Sequence, residues 1–364
     1  MSSDANGMDA ASDGAALAQG APGRKTVWFY QWLRALGALA VVALHVVREC
    51  ELSEPLAAAA GGLISAESLL AVPLARWAVP VFFMVSGALM LDPRRDVDAA
   101  KVARHLWRIA FVLLTLGYAF ALMELAYAGS LPLPELLAAA LSRVLLAQSW
   151  DHLWYLYATL GLYALTLPLR ALLGRLERRG KLLLLLALWG CLCVLPALAP
   201  EGHLSAWASW GFPLPYYLAG NVLSELPADD VRTYRTVLAL GALALAAMLA
   251  LSWQDVVDAA LPERGLALPF GAAAFVLASR RLDLPAQGGL SWVGWLAGYS
   301  FGIYLLHPLF AHLLVRVGPL AGVAAGAGAA GVLALQLLVF ALGVLGSVAL
   351  VRLLRQLPGF AGKV

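Results

Sequence analysis

Two ionisable residues stand inside one apolar stretch of this chain. Trp28 to Val47 reads WFYQWLRALGALAVVALHVV and is broken only by Arg34 and His45 among its strongly basic side chains. On an α-helix the eleven-residue step between them is close to three turns, roughly 16 Å of rise. Both side chains therefore fall on one face at two depths. A charged guanidinium in hydrocarbon is costly, so an ionisable residue inside a membrane segment is a functional candidate by default. An imidazole, with an ordinary pKa of roughly 6.5, suits proton abstraction from a hydroxyl.

Further candidates follow along the chain. Arg76 opens the stretch RWAVPVFFMVSGALML, and His152, Trp154 and Tyr155 open HLWYLY. His307 closes YSFGIYLLHP, beside Tyr304. The plain alternatives are a helix-capping or interfacial role for His45, an aromatic belt for His152, Trp154 and Tyr155, and packing of His307 on Tyr304. For Arg34 and Arg76 the alternative is snorkelling or an ion pair. No Asp or Glu is expected at mid-membrane depth, and Glu124 stands at a span end, so an anionic ligand in a wet cavity fits better. In the basic segment RRDVDAAKVARHLWR, Arg104 and Arg108 lie one turn apart and could hold one phosphate-bearing ligand.

The rest of the chain must position these residues within a bilayer. Of 364 residues, 62% are hydrophobic and only 13% charged, against about 25% charged in soluble domains. Leu and Ala dominate, so the expected class is all-α, a polytopic membrane protein with ten transmembrane helices. These are expected near 27–47, 72–91, 106–128, 152–173, 181–199, 205–223, 236–253, 265–279, 297–315 and 329–351. With the N-terminus in the cytoplasm, nineteen of the 25 Lys and Arg fall on inner segments. Four (Arg48, Arg143, Arg264, Arg316) fall outside and two, Arg34 and Arg76, within spans. That asymmetry predicts both termini in the cytoplasm.

Residues 1–24 are rich in Ala, Gly, Ser and Asp and are expected to form a disordered cytoplasmic tail. The membrane domain is expected over 25–357, with a short cytoplasmic tail at 358–364. The first span reads as an uncleaved signal anchor. Cys50, Cys191 and Cys193 form no metal-ligand set or disulfide framework, so no metal site is expected.

Five stretches together resemble the membrane-integral acyltransferase family 3. They are Arg34-x10-His45, the stretch from Arg76, Arg104-x3-Arg108, HLWYLYATLGLYALTLPLR from His152, and YSFGIYLLHP from Tyr299. They span residues 28 to about 310. The resemblance implies an O-acyltransferase of the bacterial inner membrane, without a fused esterase-like domain. It implies acetyl-CoA or another acyl-CoA as co-substrate and no tightly bound cofactor. The acceptor would be a hydroxyl of an envelope glycan or lipid-linked saccharide; nucleic acid is not an expected partner. By that resemblance His45 is catalytic and Arg34 binds the donor, with Arg104 and Arg108 as further phosphate anchors. Arg76, His152, Trp154, Tyr155 and His307 would serve the acceptor or the transition state. The proline that often follows the second arginine is absent here, where Ile109-Ala110-Phe111 stands.

Two other classes compete with this expectation. A transporter or flippase of a polysaccharide intermediate would also use arginines in a wet cavity, though proton coupling normally needs mid-membrane carboxylates. An intramembrane serine protease would need Ser86 and His307 to meet, and the topology puts them at different depths.

Overall fold

The computed structural model describes residues 27–129, 131–198, 210–254, 261–283 and 291–364. Among them it is helical, with no strand. The expected tail at 1–24 lies outside the described residues. The first helix, α1 (Trp28–Glu51), runs through the bundle interior and buries eleven residues, from Phe29 to Cys50. No proline interrupts it. Around it follow α2 (Leu63–Ala75), α3 (Ala78–Met90), α4 (Ala99–Val112), α5 (Tyr118–Ala128), α6 (Leu133–Leu145), α7 (Trp154–Ala164) and α8 (Thr166–Leu173). The second half comprises α9 (Arg178–Trp189), α10 (Pro213–Ser224), α11 (Val231–Trp253), α12 (Ala267–Arg281), α13 (Trp292–Ala311) and α14 (Gly328–Leu354). Helix α1 packs against α2, α3, α12, α13 and α14, which makes it the axis of the bundle.

Six stretches among the described residues are long and apolar enough to cross a membrane: Leu63–Met90, Ala99–Ala128, Arg178–Leu198, Val231–Trp253, Trp292–Val317 and Gly328–Leu354. A seventh forms if α7, with the turn before it, and α8 count as one span bent by 51°. The bend has a cause in Pro168, which has no N–H for the Ala164 carbonyl one turn earlier. The expectation of ten adds α1, α10 and α12. Helix α10 has 12 residues, short of the about 20 that span a bilayer, whereas α12 has 15 and continues a π-helical stretch, Leu261–Leu266, directly before it. The expected sixth span begins in residues 205–209, outside the described residues. The protein is thus a multi-pass helical membrane protein.

Ion pairs sort the loops to two ends. Arg178–Asp230 at 3.1 Å and Lys181–Glu225 at 2.7 Å join loops at one end. Arg143–Glu124 at 2.8 Å and Arg316–Glu49 at 2.7 Å join loops at the other. In both cases the partners come from segments that the charge count puts on the same side. The short C-terminal tail folds back on the bundle. Val364 is buried, and its carbonyl accepts from Arg355 Nε at 2.8 Å.

Helices α3 and α10 approach closely enough to exclude any side chain at two points. A Cβ on Gly87 would overlap the Tyr217 carbonyl, and one on Gly220 would overlap the Met84 carbonyl. Backbone atoms cannot step aside as a flexible side chain would. Gly87→Ala or Gly220→Ala should therefore lower stability by about 1–3 kcal/mol, read as an earlier thermal unfolding transition in detergent. Gly62→Ala, with nothing within 4 Å of its Cβ, should leave the transition in place. Equal transitions for all three would refute this packing.

Candidate active site

Arg34 and His45 do share a face of α1, and both line one cavity of about 290 Å³. Its other walls come from α3 (Phe82, Ser86), α4 (Lys101, His105, Arg108), α7 (Tyr155, Tyr163) and α13 (Ser300, Tyr304). Arg95, in the turn between α3 and α4, lines it as well. No carboxylate lines this cavity among the described residues. Nor does Arg34 form an ion pair or hydrogen bond with any described group. Uncharged hydroxyls of Ser86, Tyr155 and Tyr163 stand around it instead. The lining is thus cationic, with Arg95 paired to Asp92 at 3.7 Å just outside it, and suits an anion.

Arg108 is held in two ways. Its Nε donates to the Lys363 carbonyl at 2.9 Å, and its guanidinium lies over the Phe301 ring at 4.9 Å. Arg104, expected to act beside it, is exposed and does not line the cavity. The face of α4 turned inward carries Lys101, His105 and Arg108, at the i, i+4, i+7 spacing of one helical stripe. Arg104 stands on the shoulder of that stripe. Lys101, His105 and Arg95 were within the basic segment but were not singled out from it; the stripe spacing was the available signal.

His45 is the junction of two spaces. A second cavity of about 490 Å³ shares Val41, His45, Val79 and Trp154 with the first. It is lined further by Arg76, Arg264, Trp210, Phe212 and Tyr216. The Arg264 guanidinium lies over the Phe212 ring at 5.0 Å, and Tyr216 Oη donates to the Arg264 carbonyl at 2.8 Å. Arg76 occupies the break between α2 and α3. Thus Arg76 and Arg95 bracket the two ends of α3, and the two cavities reach toward opposite ends of the bundle. Nothing in the sequence marked Arg264 or Phe212 as neighbours of Arg76.

The imidazole of His45 is oriented for base chemistry. Its Nδ1 lies 2.9 Å from the Val41 carbonyl, which can only accept. The proton is therefore on Nδ1, and Nε2 carries the free lone pair. His307 packs edge-on against it, with ring centroids 4.9 Å apart. His307 donates from Nδ1 to the Ile303 carbonyl at 2.8 Å; its buried Nε2 has no partner among the described residues. It lines neither of these cavities and packs behind His45. His152 donates from Nε2 to the Leu305 carbonyl at 3.2 Å, and Tyr304 Oη donates to the His152 carbonyl. Those bonds join the start of α7 to α13. Trp154 and Tyr155 then enter the cavity wall, with the Tyr155 ring 4.4 Å from Phe83 and 5.2 Å from Tyr304.

An acyltransferase domain family model matches residues 27–352, nearly the whole described chain. The chain belongs to acyltransferase family 3. No curated protein and no solved structure matches it significantly.

Cysteine scanning tests the two-ended arrangement. In a variant stripped of Cys50, Cys191 and Cys193, Arg95→Cys and Arg76→Cys should react with a membrane-impermeant maleimide from opposite faces of sealed vesicles. Labelling of both from one face would break the arrangement.

Proposed function

We propose that this protein is a membrane O-acyltransferase that moves an acyl group, acetyl by preference, from acyl-CoA to a hydroxyl of an envelope glycan or lipid-linked sugar. The observation that carries this reading is His45, which forms a wall common to a cationic cavity and an aromatic, arginine-bearing one. Membership of acyltransferase family 3 supports the same class of chemistry. The reading includes a ten-span bundle in the bacterial inner membrane with both termini in the cytoplasm, as the charge asymmetry favours.

CoA carries phosphates at one end and a thioester at the other. Arg34, Arg95, Lys101 and Arg108 supply cations for the phosphates; Arg104 stands exposed on the same helix, outside the cavity lining. The acceptor enters from the other cavity, where Trp154, Trp210 and Phe212 offer ring faces to the apolar faces of a sugar. His45 Nε2 accepts the hydroxyl proton as the hydroxyl oxygen attacks the thioester carbonyl. Arg76 is the cation on that side for the developing oxyanion. The tetrahedral intermediate then expels the CoA thiolate, which takes the proton back from His45, leaving the ester and free CoA. His152 and His307 hold the surroundings of His45 in place. Metal ions and bound cofactors have no step in this scheme.

Membranes containing the protein should transfer label from radioactive acetyl-CoA to an envelope glycan fraction. His45→Ala should lower the rate by about 10²–10⁴-fold while the purified protein keeps its melting transition. Transfer indifferent to His45, or none in the parent, would remove the enzyme reading in favour of a transporter. Arg34→Lys keeps the charge but loses the planar fork, and donor KM should rise by about tenfold. An unchanged KM would take Arg34 out of the donor site.

A further inference from the structure

The turn that joins α3 to α4 is held from outside by two side chains among the described residues: Asn221 in α10, whose Nδ2 donates to the Leu91 carbonyl at 3.4 Å, and Arg170, which makes the denser attachment. Arg170, in α8, donates from Nη1 to the carbonyls of Met90 at 2.9 Å and Asp92 at 2.8 Å. Its Nη2 donates to the Arg95 carbonyl at 2.9 Å. Met90 is the last residue of α3, so its carbonyl is one of those a helix end leaves unpaired. A cation is favoured there by the helix dipole as well. In the basic run that begins at Arg170, Arg178 and Lys181 form cross-loop ion pairs, whereas Arg170 binds three backbone carbonyls and no carboxylate among the described residues.

The rest of the turn is closed by its own bonds. Arg94 donates from its backbone N and Nε to Asp92 Oδ1 at 3.0 and 2.9 Å. Asp98 caps α4 by accepting from the Lys101 N–H at 2.7 Å. Lys101 Nζ donates to the Asp96 carbonyl at 3.0 Å. Arg95 also pairs with Asp92 inside the turn at 3.7 Å, and among the described residues Arg170 is the densest external attachment of the turn. Arg95 and Lys101, at its two ends, line the cationic cavity, and Arg170 does not.

We propose that Arg170 is a positioning residue for that cavity. By gathering the carbonyls of Met90, Asp92 and Arg95 it fixes the spacing at which Arg95 and Lys101 meet the phosphates of an anionic donor. The planar fork matters, because two separate nitrogens serve carbonyls at three points; a single ammonium cannot reach all of them in line. This role rests on the acyl-CoA reading above.

Binding of CoA to the full chain in lipid nanodiscs, followed by calorimetry, tests it without an acceptor. Arg170→Lys and Arg170→Gln should raise the CoA Kd by about tenfold, with the lysine variant the milder. In an Arg95→Gln/Lys101→Gln background the same Arg170→Lys change should leave the Kd within about twofold, since the groups it positions are gone. A purely structural residue would weaken binding by the same factor in both backgrounds, and that result overturns the proposal. So does an unchanged Kd for both Arg170 variants when the parent binds CoA. A parent that fails to bind CoA instead removes the donor reading itself, and with it this role. Should Arg170→Gln not fold, the charge-retaining lysine variant carries the comparison alone.

Discussion

A guanidinium in an apolar bundle sets the terms for everything around it. Arg34 sits in the interior helix, and no described carboxylate reaches it. Leaving a charge in dry hydrocarbon would be costly, whatever the exact figure. Pairing it with an Asp would remove the cost and also the attraction for a ligand. The structure takes a third course, in which neutral oxygens from Ser86, Tyr155 and Tyr163 line a space beside it. Such groups solvate a cation without cancelling it. The space stays positive, and Arg108, Lys101 and Arg95 extend that field toward one end of the bundle. Helices around it cannot then close fully.

Close packing elsewhere makes the opening affordable in structural terms. Against the cavity's far wall, α3 and α10 meet backbone to backbone at Gly87 and Gly220. That contact fixes the outward face of α3, so its inward residues, Phe82 and Ser86 among them, keep their positions. On the other side, α13 braces α7 through the bonds of His152 and Tyr304. His45 itself is tied to Val41 on its own helix. Its tautomer is therefore set by local geometry and needs no neighbouring carboxylate, unlike the orienting acid of a catalytic triad.

Sequence reading reached the parts of this site that depend on one helix. Arg34 and His45 share a face because eleven residues make nearly three turns, and the structure keeps that relation. His152, Trp154, Tyr155 and Arg76 also line cavity walls, standing at or just before the starts of α7 and α3. What the sequence could not give depends on turns and on partners far along the chain. Arg95 lines the cavity from a turn whose carbonyls are bound by Arg170, 75 residues later. Arg264 lies over Phe212 and lines one cavity with Arg76, from three separate segments. Choosing between Arg104 and Lys101 required knowing how α4 is rotated, and a basic stripe leaves that rotation open by tens of degrees. Span number depends on the same kind of context: the described residues give six or seven candidate spans, with α1, α10 and α12 the further ones that the sequence suggests.

The depth relation of the two key side chains constrains what kind of donor can work. Arg34 and His45 are separated by roughly 16 Å along the axis, and the walls between them change character. Near Arg34 and Arg108 they are charged and hydroxylic; near Val41, Val79 and Phe82 they are aliphatic and aromatic. On the acyl-CoA reading proposed above, the donor carries its charge at one end and its acyl carbon at the other, joined by a long uncharged arm. Acyl-CoA has that form, with phosphates on the nucleotide and a thioester at the tip of a thin chain. In the proposed scheme, charge at the mouth would hold the head of such a donor while the aliphatic and aromatic walls receive its arm.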